Sequence, residues 1–95
     1  MTTPEGRVEA YLIARVRESG GYVRKLKWIS RNGAPDRMVW WRHSGGAVYF
    51  VEVKRRGEKP TPQQHEEHVK MKDSGLNVVV VDTNEKIDIF IANAK

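Results

Sequence analysis

The chain has no cysteine. Disulfide frameworks and thiolate metal sites are therefore excluded, which suits a reducing compartment. Long apolar runs are missing too, and nothing approaches the roughly 20 residues that a membrane helix needs. The polar N-terminus, with Pro4 and Gly6, does not read as a signal peptide. A cytoplasmic, membrane-free protein is expected. Several catalytic signatures are lacking. There is no phosphate-cradling glycine loop, and no Ser/His/Asp spacing. His65-Glu66-Glu67-His68 has its histidines at i, i+3, whereas the zinc-protease motif needs i, i+4. Both histidines read as solvated or phosphate-facing, and His43 as an exposed turn residue. Acidic charge is scarce: 12 Asp and Glu oppose 17 Lys and Arg, a formal charge of +5.

The basic excess is clustered, which favours a polyanionic partner over a merely solvated surface. Lys25, Lys27, Arg37, Arg55, Arg56 and Lys59 hold much of it. The length of 95 residues fits one domain, 1–95. A core this small is marginal alone, and self-association would help it.

Thr3-Pro4-Glu5 reads as a helix start, with Val8, Leu12 and Val16 on one stripe and Tyr11 and Ile13 widening it. Ser19-Gly20-Gly21 ends that helix. Glu9 lies at the edge of the apolar stripe. It needs a partner there, either an arginine or a metal ion. Tyr22 to Ile29 reads as a strand, with Leu26 and Trp28 on one face. Met38–Trp41 and Val48–Val53 read as a hairpin with its tip near Ser44-Gly45. Residues 55–60 form a charged loop. Thr61-Pro62-Gln63-Gln64 opens a polar helix with capping-box spacing, and Gly75 stops it. Gln64, His68 and Met71 share one of its faces. Val78–Val81 lacks polar alternation and reads as a strand covered on both faces, parallel to its predecessor. Ile87, Phe90, Ile91 and Ala94 favour a terminal helix, although Ile87, Ile89 and Ile91 suit a strand. Trp28, Trp40 and Trp41 read as core or interface residues more readily than as base-stacking platforms.

Pro35-Asp36 and Glu52-Val53-Lys54 carry the chemistry. Folding back at Ser44-Gly45 brings Asp36 beside Glu52-Val53, and strand alternation puts Glu52 and Lys54 on one face. Two carboxylates and a backbone carbonyl suffice for Mg²⁺, which prefers hard oxygen ligands and keeps several waters. Such a cation lessens the repulsion between a phosphodiester and its nucleophile. Lys54 could orient a water or stabilise charge building on phosphorus. Singly, these residues are ordinary turn and edge-strand residues. Jointly, beside basic residues, they point to phosphodiester hydrolysis.

The chain resembles the PD-(D/E)xK nuclease superfamily, and within it the virus-type replication-repair nuclease (VRR-NUC) family. The residues that carry this are Glu9, Gly33-Ala34-Pro35-Asp36-Arg37, Val51-Glu52-Val53-Lys54 and Pro60-Thr61-Pro62-Gln63-Gln64. The resemblance spans nearly the whole chain, and the core motif shows no departure. It implies an α/β restriction-endonuclease-like core with a mixed central sheet flanked by helices. It implies Mg²⁺- or Mn²⁺-dependent cleavage, with no small-molecule cofactor. Glu9, the acidic residue of the first helix, would be a metal ligand with Asp36, Glu52 and the Val53 carbonyl, Lys54 the catalytic lysine and Gln64 a catalytic glutamine near the active site. Stand-alone members of this kind suggest a homodimeric, Holliday-junction resolvase-like endonuclease acting on four-way DNA junctions, in a bacterial host cytoplasm if phage-encoded. Rival readings are a less selective nickase and a non-catalytic DNA-binding module.

Overall fold

A computed structural model describes residues 3–95. Helix α1 (Pro4–Glu18) begins where Thr3 accepts the Gly6 amide through its side chain, and Ser19 caps its end. Val8, Leu12 and Val16 are the buried stripe, as their spacing predicts. Strand β1 (Gly21–Lys25) follows at once. Gly21 is required here: a Cβ would sit 2.6 Å from the Trp41 indole nitrogen.

β1 pairs antiparallel with β2 (Arg37–Trp41), and β2 pairs antiparallel with β3 (Val48–Val53). The β2–β3 hairpin turns through residues 42–47, as expected. α2 (Pro62–Asp73) then crosses to β4 (Asn77–Val81), which lies parallel to β3. The sheet order is β1-β2-β3-β4, a mixed four-stranded sheet. α3 (Asn84–Ala94) closes the chain as a helix, capped by Thr83. No helix among the described residues is long and apolar enough to cross a membrane.

The core lies between one sheet face and the helices α1 and α3. Val23, Val39, Trp41, Val51, Val53 and Val81 meet Leu12, Val16, Ile87, Phe90 and Ile91 there. α2 covers the opposite face near β4, and among its residues only His68 and Met71 are buried. Alternation along β3 therefore sends Val51 and Val53 into the core and Glu52 toward α2.

The first strand is shorter than its sequence suggests. It stops at Lys25, because β2 begins at Arg37 and only the Leu26 amide, bonded to the Asp36 carbonyl, extends the ladder. Residues 26–29 leave the sheet, Ser30 takes a positive φ of 63°, and Ile29 is 87% exposed. The tryptophans also divide. Trp41 joins the core and donates to Ser19. Trp40 stacks on Tyr22 at 5.5 Å beneath the Arg24 guanidinium, and Trp28 bonds Glu67 instead. Neither belongs to the buried core.

Candidate active site

Asp36 is placed by the loop before β2. Pro35 is fully buried, and Gly33 turns with φ 96° where a Cβ would lie 3.1 Å from the Gln63 carbonyl of α2. Glu67 of α2 ties the same loop, accepting Trp28 at 2.6 Å and Arg31 at 3.0 Å. The Arg31 guanidinium holds the Glu67 carboxyl below the usual carboxylate range. At the end of this loop one Asp36 carboxylate oxygen accepts the Val53 amide at 2.7 Å. The hairpin thus brings Asp36 against Glu52-Val53, as its turn signals suggest.

Glu52 is 1% exposed. Its Oε2 lies 3.4 Å from the Gln64 amide nitrogen and 3.5 Å from Lys54 Nζ. Lys54 is itself buried, and its backbone amide bonds the Val81 carbonyl, which extends the β3–β4 ladder to the site. Burial pushes the Glu52 carboxyl up to about 8, the Asp36 charge and hydrogen bond add to the rise, and Lys54 offsets part of it. Two carboxyls pressed together in this way share a proton readily or a divalent cation better. Their oxygens, with the Val53 carbonyl nearby, form the hard donor set that Mg²⁺ or Mn²⁺ takes. The residues present fit such an ion.

Gln64 does two things at once. Its side chain accepts the Thr61 amide in the capping box, while its Nε2 reaches Glu52.

Glu9 is held by an arginine. Its Oε2 accepts Arg37 Nε at 2.9 Å, so of its two expected partners the structure supplies the arginine. Among the described residues no three His, Cys, Asp or Glu side chains converge to hold a metal ion. The same pair changes the reading of Arg37. Its guanidinium is partly covered and its Nε is engaged by Glu9. Lys25, Lys27, Arg55, Arg56 and Lys59 are exposed. The 55–60 loop is anchored rather than loose: the Gly57 amide bonds Asp82, which also pairs with Lys86 at 2.8 Å.

Two residues near the site escaped the sequence reading. Glu5, one turn before Glu9, lies close enough to feel Asp36. Burial, then the Asp36 charge, raise its carboxyl above the ordinary value. His68 is the larger correction. It is not solvated but 3% exposed, with Nε2 3.7 Å from Glu52 Oε1. Burial, reinforced by Lys72, lowers its pKa. The signal was its i+4 spacing from Gln64, which puts both on the face of α2 that meets β3.

No protein-family model matches the chain. It is 39% identical over 88 residues to "Putative nuclease p44" of Acyrthosiphon pisum secondary endosymbiont phage 1, covering 93% of this chain and 92% of that relative. A solved structure described as "VRR_NUC domain" superposes with a TM-score of 0.90 at 40% identity, covering 99% of this chain and all of the other. With the mixed sheet, the flanking helices and full-length similarity in agreement, the chain belongs to the VRR_NUC family and is a nuclease.

Proposed function

We propose that this protein is a Mg²⁺- or Mn²⁺-dependent DNA endonuclease, acting as a homodimer on branched DNA of the four-way-junction type. The observation that carries the reading is the meeting of Asp36 and Glu52 at the open end of the hairpin, with Lys54 beside them. Asp36, Glu52 and the Val53 carbonyl would hold the cation. When bound, it supplies positive charge that offsets phosphodiester repulsion and polarises a phosphoryl oxygen.

The chain's own groups do the rest. Lys54 is held next to Glu52, where its ammonium can orient the attacking water and balance charge on the phosphorus oxygens. Gln64 steadies the Glu52 carboxylate from α2. Glu9 acts through Arg37: their pair pins α1 to the first residue of β2, directly after Asp36. Arg55, Arg56 and Lys59, with Lys25 and Lys27, supply exposed positive charge for the phosphate backbone. Two copies related by a twofold would match the symmetry of a four-way junction.

The test compares a mobile four-way junction with matched linear, flap and single-stranded DNA, with and without Mg²⁺, alongside the mass in solution. Metal-dependent junction cleavage by a dimer is expected. Asp36→Ala and Glu52→Ala should each abolish it while retaining DNA affinity. Cleavage that survives either change would refute the assignment. Equal rates on all substrates would point to a less selective nickase.

A further inference from the structure

Glu52 Oε1 and His68 Nε2 are both buried, and neither has a hydrogen-bond partner among the described residues. They face each other at 3.7 Å. Native proteins seldom leave such groups unpaired, because each costs about 1–3 kcal/mol in lost hydration. Two orphans side by side, one able to donate and one to accept, are a pair awaiting a small closure.

We propose that His68 is a positioning residue for Glu52, donating its Nε2–H to Oε1 and so fixing the carboxylate that the nuclease site requires. The inference rests on the metal-dependent reading above and adds a residue to it. The chemistry selects one tautomer. A neutral imidazole carries one N–H and one lone pair, so only one of its nitrogens can donate. Once Glu52 is ionised, as holding a cation requires, it only accepts, so a lone pair at Nε2 would repel Oε1, whereas an N–H there satisfies both atoms.

The arrangement also divides the two oxygens. Oε1 is turned toward His68, while Oε2 lies on the side of Gln64 and Lys54. Gln64 and His68 stand one turn apart on α2 and reach opposite oxygens of one carboxylate. α2 thus grips Glu52 from both ends, which restricts rotation of its plane. Ligating carboxylates elsewhere are held in this way, and loss of such a support costs about 10–100-fold in metal affinity.

The experiment measures Mn²⁺ binding to the intact protein by electron paramagnetic resonance, for wild type, His68→Leu and His68→Gln. Melting temperature and metal-free DNA affinity are read in parallel. His68→Leu should weaken Mn²⁺ binding by about 10–100-fold while leaving metal-free DNA affinity near wild type. His68→Gln, which restores an N–H donor, should recover most of that loss. A purely structural histidine would lower stability and show no such rescue. Unchanged Mn²⁺ affinity in His68→Leu, or a glutamine no better than leucine, overturns the role of His68 alone. A wild type that takes up no Mn²⁺ overturns the metal reading, and this inference with it. If His68→Leu fails to fold, His68→Met serves as the donor-free partner to His68→Gln, with the same readings decisive.

Discussion

A carboxyl group that is almost wholly covered and faces a second carboxyl resists ionisation, and Glu52 meets both conditions. The sign of the consequence follows from where the proton is held more tightly. The folded chain keeps it up to about pH 8, while an unfolded glutamate releases it near 4.5. Stability from this group is therefore full at acid pH and falls as pH rises across that window, levelling off above about 8. Glu52→Gln preserves the shape but cannot ionise. Without metal, its melting temperature should exceed that of wild type at pH 8 and converge on it near pH 4. Added Mn²⁺ should stabilise wild type only. Fluorimetric melts across pH check this, and parallel curves for the two proteins would contradict it. Asp36, Glu52 and Lys54 were legible as a group because a turn and strand alternation fix their meeting. His68 was not. Its i+4 spacing from Gln64 and its shared face with Met71 hinted at packing, but nothing local shows that this face covers a buried glutamate.

Elements position the site through their ends and loops more than through their lengths. The segment before β2 leaves the sheet, docks on α2 through Glu67 and returns at Pro35-Asp36. Gly33 permits that path: its φ is 96°, and α2 backbone is 3.1 Å from where a Cβ would stand. Gly33→Ala should cost about 1–3 kcal/mol through strain and crowding together. Denaturant unfolding would measure it. Cleavage should fall by more than stability explains, since Asp36 rides on this loop. A variant as stable as wild type would refute the role of Gly33. This excursion was hidden in the sequence, where Leu26 and Trp28 alternate with lysines like a continuing strand. What ends β1 is the partner's start at Arg37, a fact about pairing rather than about residues 26–29. The caps were readable because Thr3, Thr61 and Gly75 act locally.

The whole molecule measures 35 × 32 × 22 Å, about one helical turn of duplex DNA in its longest direction. On the proposed function, one copy would span one arm of a branched substrate and a twofold pair two. The positive charge that sequence shows as clustered divides in space. Arg37 is paired with Glu9, Arg31 with Glu67 and Arg15 with Glu18 and Asp88. Arg56 and Lys59 stay exposed, and Arg55 reaches Glu58 only at a long 3.9 Å. Replacing Arg55, Arg56 and Lys59 together by glutamine should weaken binding to all DNA sequences alike. The slope of log affinity against log salt should become shallower by about 0.9 for each phosphate that is no longer neutralised. Anisotropy titrations at several salt concentrations test this, and an unchanged slope would place the DNA elsewhere.

The indole of Trp28, locked to Glu67 at 2.6 Å, gives the loop that delivers Asp36 an optical gauge. Indole emission reddens when the ring enters water. With Trp40 and Trp41 replaced by phenylalanine, the remaining fluorescence would report, in real time, whether that segment is seated on α2 or lifted away as DNA arrives.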